Sequence, residues 1–508
     1  MKFNYKPRYT SPQHFNIDPE KNLFLIGTSD KGPINTPIEL NEIGAEGIFG
    51  GEGSLIDAVL ELKEAFNNDI YNMHIFLVKC SGEYASVNIN GQFFVSAITT
   101  DARLSGSYVE IKNDSMAFMY PGLGITAVYY IYSANLIEEI NNDLSNPAYV
   151  MAWEDGFELN EGAYYFSDPD PQITLTKNEL FIKLGQTYNV LEGMRVQYLI
   201  PLEAYMDSHH PSFVFSDFEE SVKKAILSNE KDYLTYVDSD GVPYRFYKQI
   251  HDFCLAQLNV GIMTTAIMGF SQSFNEYYSN DGVIKKVSNL YIKDIERSSF
   301  LLSAVYGNVQ YANKIDSFYV LYGGLLIVSQ SALPLAPDAP VAGVAPLAGV
   351  APLAGVAPPA ASLTNYELPK HLKYLDNFPD KELAFMFENG ITTYRYSFLN
   401  DFVLFNNVTF TTPESSYFYF DDYKICFLVA TRVNTFLKKH LGKNIKEVID
   451  SHTLPRGIEE IFKSMQNIFF NEYEFSINLT RHSVTVPFGV RTLDNTHYIR
   501  AKASAPIN

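Results

Sequence analysis

Asn22-Leu-Phe-Leu-Ile-Gly27 is a continuous apolar run that ends at a glycine and a turn, a pattern that predicts a buried strand. Farther along, apolar residues recur every three or four positions between 54 and 66, which predicts an amphipathic helix. Ser54 and Asp57 have the spacing of a helix-capping pair. The apolar run His74–Lys79 then predicts a second strand. Strand, helix and strand in this order predict a βαβ unit whose two strands are parallel.

The apolar period changes to two after this unit. Val87, Ile89 and Phe93 alternate with polar residues, and Tyr108–Lys112 alternates again. Short alternating segments separated by turn residues predict an antiparallel, β-sandwich-like domain, which we place at 83–150. The predicted fold class is therefore a multidomain α+β protein that combines an α/β core, this inserted β domain and extended N- and C-terminal arms.

The remaining predicted elements are strands and helices in mixed order. They are strands at 196–201, 394–406, 474–479 and 483–486, and helices at 247–260, 382–389, 425–437 and 458–469. The predicted organisation has seven parts. They are an N-terminal arm at 1–20, the first part of the core at 21–82, the inserted β-rich domain at 83–150, a central α/β domain at 151–330, a low-complexity linker at 331–362, a C-terminal core domain at 363–487 and a C-terminal arm at 488–508.

The linker contains a short internal repeat. Ala-Gly-Val-Ala-Pro-Leu occurs at 342–347 and again at 348–353, and Ala-Gly-Val-Ala-Pro-Pro follows at 354–359. Recurrent Pro and Gly exclude a long helix and remove strand donors, so an extended, partly polyproline II segment is expected. A collagen triple helix is excluded because Gly recurs every six residues instead of every three. A six-residue β-helix coil remains as an alternative, although three repeats make a poor solenoid.

Length and charge limit the classes of function. The chain has 508 residues, which suggests roughly three domains. Its formal net charge is −20, and its Lys and Arg residues form no cluster of the kind that displaces counterions from a duplex. We therefore expect no direct binding to nucleic acid. The longest apolar run, Phe318–Val328, is too short to cross a bilayer, so we expect a buried element there and no membrane insertion.

The three cysteines, Cys80, Cys254 and Cys426, are far apart and in no paired spacing. This pattern predicts neither a disulfide framework nor a zinc site, and it agrees with assembly in a reducing cytoplasm. The N-terminus has no apolar signal core.

Four motifs partly match chemical sites, but each lacks a required feature. The glycines of 44–53 do not have the spacing of a phosphate-binding loop. Ser271 follows Gly269 as in a nucleophile elbow, but the second glycine is missing. Adjacent residues of a strand, as His209 and His210 would be, point to opposite faces, and Asp238–Gly241 lacks the closing acid of a calcium loop. We therefore predict no catalytic, cofactor-binding or metal-binding residues and no enzyme.

Several stretches resemble contractile-tail sheath proteins of the myovirus type, in the same order along the chain. The first is Leu23-Phe-Leu-Ile-Gly-Thr-Ser-Asp-Lys-Gly-Pro-Ile-Asn-Thr-Pro37, followed by Ile48-Phe49-Gly50 and the helix from Ser54. Further similar segments are Ile200–Tyr205, Tyr322–Leu326 and Val403–Thr412. The repeat-bearing linker departs from the family pattern.

The resemblance implies a structural subunit of a virion tail that is assembled in the host cytoplasm. Its expected partners are other copies of itself, in hexameric rings stacked helically around a tail tube protein, and the baseplate and tail terminator proteins. Contraction would drive the tube through a cell envelope. Two alternatives remain open: a baseplate or terminator component that forms a single ring, and an α/β hydrolase that uses Ser271.

The resemblance also implies that the terminal arms add strands to sheets of neighbouring subunits. Both ends of the chain are extended, aromatic-bearing segments beside strand-rich regions, which is the form that strand addition needs. The predicted interface residues are Phe3, Tyr5, Tyr9, Val484, Val486, Phe488, Tyr498, Ile499 and Arg500.

Overall fold

The structure is a computed structural model. It describes residues 22–40, 45–91, 93–152, 159–206, 246–260, 262–270, 298–311, 314–330, 366–397, 401–411, 413, 418–439, 453–466, 470–479, 483–492 and 499–506. The predicted N-terminal arm at 1–20 and the predicted linker at 331–362 lie outside these residues. The described residues form two compact units, one made of 22–206 and 246–249 and the other of 250–506.

The first unit contains an α/β core and a β-rich segment between the core strands β3 and β11. In chain order its elements are β1 Asn22–Gly27, β2 Ile38–Glu39, α1 Ala45–Phe49, α2 Ser54–Phe66, β3 His74–Lys79, β4 Ser86–Ile89, β5 Phe93–Ala97, β6 Tyr108–Lys112, β7 Ser115–Tyr120, β8 Ile125–Tyr130, α3 Leu136–Asn142, β9 Ala148–Ala152, β10 Gly162–Tyr165, α4 Lys177–Leu191 and β11 Tyr198–Pro201. Helix α5, Phe246–Asn259, begins in this unit.

The core sheet of the first unit has the order β11-β1-β3-β2. Strand β1 is parallel to both β11 and β3, and the short edge strand β2 is antiparallel to β3. All six residues of β1 are buried, as expected for a central strand covered on both faces. Helix α2 buries Leu55, Val59 and Leu62. The predicted βαβ unit is therefore confirmed at the level of its strands, helix and strand direction.

The predicted capping role of Ser54 is wrong. Gly53 occupies the N-cap position of α2 and has no side chain with which to cap the helix. The Ser54 hydroxyl instead accepts a hydrogen bond from the backbone N–H of Thr28 (2.9 Å), and the Ser54 N–H donates to Thr28 Oγ1 (3.2 Å). These bonds join the first turn of α2 to the loop after β1, a partner 26 residues away that local sequence spacing cannot reveal.

The β-rich segment consists of two antiparallel sheets, β4-β5-β9 and β10-β6-β7-β8. Alternate residues of both sheets point into one hydrophobic cluster, as the period-two pattern predicted. Its fully buried members include Ile89, Phe93, Val109 and Phe118. Burying each such side chain stabilises the fold by about 1.5–3 kcal/mol.

The second unit combines a small parallel sheet, short antiparallel ladders and a C-terminal helix-and-sheet body. Its elements are β12 Thr265–Gly269, β13 Ser298–Ser299, β14 Leu302–Val305, β15 Asn308–Gln310, β16 Ile315–Ser317, α6 Tyr319–Gln330, β17 Lys373–Tyr374, α7 Asp380–Glu388, β18 Ile391–Thr392, β19 Tyr394–Tyr396, β20 Phe402–Leu404, β21 Phe410–Thr411, α8 Phe420–Lys439, α9 Thr453–Met465, β22 Phe470–Phe475, β23 Asn478–Leu479, β24 Ser483–Thr492 and β25 Ile499–Pro506.

Helices α6 and α7 agree with the sequence predictions for their segments. Helix α6 buries Tyr319, Leu321 and Leu325, which confirms a buried element at this apolar run. Helix α7 ends before Gly390, whose φ of 68° lies in the left-handed region that favours glycine. Strand β14 lies between β12 and β18 and is parallel to both.

Candidate subunit interface

The C-terminal sheet is built around the ten-residue strand β24. Strands β22 and β23 pair antiparallel with one side of β24, and β25 pairs antiparallel with the other side over eight residue pairs, from Ser483 with Pro506 to Val490 with Ile499. Among the described strands, nothing pairs with the outer edge of β25 or with the outer edges of β22 and β23. The sheet therefore has open edges on both sides in the part of the chain that the structure covers.

One face of this sheet packs on helices α8 and α9. Phe462 of α9 is fully buried, and its ring lies 5.1–6.2 Å from the rings of Phe470, Tyr473, Phe475 and Phe488. Val429 and Val433 of α8 are fully buried in the same cluster. The amphipathic patterns of both helices thus predicted the correct core faces.

The predicted interface residues fall into three groups by their location in the structure. Val484, Val486 and Phe488 are at most 4% exposed and belong to the core beneath the sheet, so they stabilise the sheet that an added strand would join. Ile499 and Arg500 begin β25, where their backbones pair with Val490 and Gly489. Phe3, Tyr5, Tyr9 and Tyr498 lie outside the described residues.

Strand β24 continues beyond the predicted strand end at Val486, and the predicted arm boundary at 488 lies inside it. Pro487 is tolerated here because its carbonyl accepts the Ser476 N–H (3.0 Å), so its backbone faces the bend between β22 and β23, where no strand requires a donor. The next segment, β25, then returns along β24 within the same chain.

The glycine-rich loop before α2 lies close against the loop after β1. A Cβ atom on Gly50 would collide with the Asp30 carboxylate, and a Cβ on Gly53 would lie 2.5 Å from the carbonyl oxygen of Thr28. Asp30 Oδ1 accepts a hydrogen bond from the Glu52 N–H (3.2 Å). The first two N–H groups of α2, which an anion would need, are bonded within the chain: that of Ser54 to Thr28 Oγ1 and that of Leu55 to the Thr28 carbonyl (3.1 Å).

The other candidate chemical groups are outside the described residues or deeply buried. Ser271, His209–His210 and Asp238–Gly241 are not described. Within the described part of the chain, no three His, Cys, Asp or Glu side chains are grouped to hold a metal ion. Cys80 and Cys254 are buried, and burial raises the pKa of each thiol to about 12, which keeps both groups protonated and unreactive at neutral pH.

None of the described helices is both long and apolar enough to cross a membrane.

Sequence reasoning missed a buried ammonium group at the end of β3. Lys79 is fully buried, and its Nζ donates hydrogen bonds to the carbonyl oxygen of Ser29 and to Thr100 Oγ1 (2.6 Å). Burial lowers the pKa of Lys79 to about 8. These bonds join the loop after β1 to the segment after β5, so Lys79 ties the α/β core to the β-rich segment.

Solved structures that resemble this chain include the following three. The sheath tail protein from Listeria innocua aligns with 96% of this chain and 95% of its own, at 10% identity and a TM-score of 0.53. The sheath tail protein from Desulfitobacterium hafniense aligns over 100% of both chains, at 10% identity and a TM-score of 0.49. The helical sheath of the anti-feeding prophage in its contracted state aligns with 52% of this chain and 63% of its own, at 10% identity and a TM-score of 0.30.

The sequence itself matches no protein-family model and no curated protein. At 10% identity, the match to the Listeria innocua protein shows a shared fold. It extends over 96% of this chain and 95% of the other. The chain therefore has the fold of a sheath tail protein, which confirms the resemblance found in the sequence.

Proposed function

We propose that this protein is the sheath subunit of a contractile phage-type tail. The observation that carries the proposal is the fold shared with the Listeria innocua sheath tail protein over 96% of this chain. In this role the subunit is structural, located in the virion tail, and assembles in the host cytoplasm as hexameric rings stacked around a tail tube. Contraction of the sheath drives the tube through the cell envelope, and the ends of the sheath meet baseplate and terminator proteins.

The open edges of the C-terminal sheet support this function. An unpaired edge presents a row of backbone donors and acceptors to which an extended segment of another copy can add as a strand. A head-to-tail contact of this kind, repeated without closure, builds a helical polymer. We place the N-terminal arm and the segment that includes β25 in these contacts, while the folded units rotate and slide as rigid bodies during contraction.

A truncation series tests the role of the arms. Removal of 1–20 or of 493–508 is expected to abolish polymers that pellet in a centrifuge, while far-UV circular dichroism shows a folded protein. The second truncation begins after Thr492, the last residue of β24. A truncation that began at 489 would also remove Val490, whose buried side chain is part of the core. A deletion within the repeat, 342–359, is the control and leaves pelleting unchanged. Normal polymers from both arm truncations would refute the assignment.

A further inference from the structure

Strand β8 forms an open edge of the β-rich segment. It is the last strand of the sheet β10-β6-β7-β8, and among the described strands only β7 pairs with it. Its sequence, Ile125-Thr-Ala-Val-Tyr-Tyr130, has no charge, proline or glycine, and its six pairs with β7 are in regular register without a bulge. Charges, prolines and bulges are the devices that keep edge strands from pairing with other chains, so this edge lacks the usual protection.

Two other edges of the same segment are closed by side chains or loops. On β9, the Asn141 amide donates to the Val150 carbonyl (2.9 Å) and accepts from the Val150 N–H (2.7 Å). On β4, the Ser86 carbonyl accepts the Ser167 N–H (2.7 Å), and the Ser86 N–H donates to Ser167 Oγ (3.0 Å). On β8, the Tyr130 carbonyl accepts the Ser133 N–H (3.1 Å), but the described contacts of Thr126 and Val128 include no such closure of the edge.

The solvent face beside this edge is apolar. Val128, Tyr130 and Tyr132 are 62%, 56% and 68% exposed, and the rings of the two tyrosines lie 5.6 Å apart in a T-shaped contact. Valine and tyrosine favour strands, and tyrosine is enriched at protein interfaces. The edge therefore offers unpaired backbone groups and an apolar surface at the same place.

The charge pattern favours a second copy of this chain as the partner. The chain carries a net charge of −20, so most of the surface of one copy repels another copy. No charged residue occurs between Ser115 and Ile137, which includes all of β7 and β8. A partner of opposite charge would find nothing complementary along this edge, whereas two copies that meet here bring no like charges together.

We infer that two free subunits pair through their β8 strands, antiparallel and about a two-fold axis at Val128. The even-numbered residues of β8 face solvent, so an antiparallel partner must place even residues opposite even residues. Val128 then lies opposite Val128 of the second copy, and Thr126 lies opposite its Tyr130. The two four-stranded sheets become one continuous sheet, and the exposed valines cover each other.

This dimer is a form of the free subunit. A two-fold contact joins copies that face in opposite directions, whereas rings stacked around a tube repeat one contact in a single direction. The inference therefore goes beyond the proposed sheath function and does not depend on it.

Cross-linking in solution tests the pairing. The described cysteines are buried, so the unmodified protein serves as the blank for a short bis-maleimide reagent. Val128→Cys is expected to give a covalent dimer, and a mixture of Thr126→Cys with Tyr130→Cys is expected to give the mixed dimer in preference to either homodimer. Leu144→Cys, at an 89% exposed position of the same segment, is the matched control and gives little dimer.

Analytical ultracentrifugation provides an independent measurement of the same contact. The wild type and Leu144→Lys are expected to sediment as dimers, and Val128→Lys, which sets two ammonium groups opposite each other, is expected to raise the dissociation constant at least about tenfold. A monomeric wild type, or equal cross-linking at 128 and 144, overturns the inference. Electron microscopy of the same samples separates the two proposals: cylinders without dimers leave the sheath function intact, and dimers without cylinders leave the pairing intact.

Discussion

Gly53→Ala is expected to destabilise the first unit strongly, because this glycine meets two independent constraints. Its φ of 111° lies in the left-handed region, where a side chain costs about 1–2 kcal/mol. An added Cβ would also lie 2.5 Å from the Thr28 carbonyl oxygen and 2.7 Å from Ser29 Cα. These are backbone atoms of the loop after β1, so relieving the overlap means moving that loop, at about 1–3 kcal/mol. The sum is about 2–5 kcal/mol.

Two other glycines of the same unit separate these effects. Gly51→Ala is the neutral control, since Gly51 has no positive φ and no atom within 4 Å of an added Cβ. Gly106→Ala isolates the backbone cost, because Gly106 has a φ of 73° in open space. We expect losses of less than about 0.5 kcal/mol for the first and about 1–2 kcal/mol for the second.

Hydrogen exchange followed by mass spectrometry is the suitable assay. A global unfolding free energy is poorly defined for a chain of several units, whereas exchange reports the opening of individual strands. The amides of β1 and β3 are expected to exchange faster in Gly53→Ala than in Gly106→Ala. In Gly51→Ala they are expected to exchange at the wild-type rate. Equal protection in Gly53→Ala and Gly51→Ala would refute the close approach of α2 to the loop after β1.

Three further variants test other parts of the structure. Burial lowers the pKa of Lys79 to about 8, so between pH 8 and about 10.5 the unfolded state binds more protons than the folded state, and the unfolding free energy rises with pH by up to about 3 kcal/mol. Lys79→Met is expected to lose this rise. Identical pH profiles of hydrogen exchange in the variant and the wild type would contradict the expectation. Phe462→Ala is expected to destabilise the C-terminal body by about 3–5 kcal/mol, measured by hydrogen exchange of the β24 amides. Leu144→Ala is expected to leave the exchange of these amides unchanged. Gly390→Ala is expected to lower the melting temperature, because the added Cβ would meet the backbone carbonyl oxygens of Thr411 and Thr409. Gly193→Ala is expected to have a smaller effect, because Gly193 has a φ of 80° in open space. Equal shifts in melting temperature would exclude the contact at Gly390.

Elements that depend on local pattern could be predicted from the sequence. Strands β1 and β3 are apolar runs with a helix between them, and their parallel pairing follows from the length of the connection. Helices α8 and α9 have a single apolar face, so their packing on a sheet was also expected.

Features that depend on distant partners could not be predicted. Ser54 has the residue type of a helix cap, but its hydroxyl is used by Thr28. Lys79 ends an apolar run, where a lysine usually reaches solvent, yet the carbonyl of Ser29 and the hydroxyl of Thr100 hold its ammonium inside. Strands of two residues, such as β13, are too short to show any period.

In the predicted interface, too, local features could be predicted from the sequence, and features that depend on distant partners could not. Val484 and Val486 lie in the strand predicted at 483–486, and together with Phe488 they are buried in the core beneath the sheet. The predicted strand ends at Val486, whereas β24 continues through Pro487, whose missing donor is accommodated by the bend between β22 and β23, a tertiary feature. The return of β25 along β24 likewise depends on pairing that the composition of either strand does not specify.

Negative-stain electron microscopy of the concentrated protein, alone and co-expressed with a tail tube protein from the same source, tests the sheath assignment most directly. The assignment predicts long hollow cylinders with regular striations in at least one of the two samples. Single rings would instead support a baseplate or terminator component, and the absence of any cylinder in both samples would contradict the proposed function.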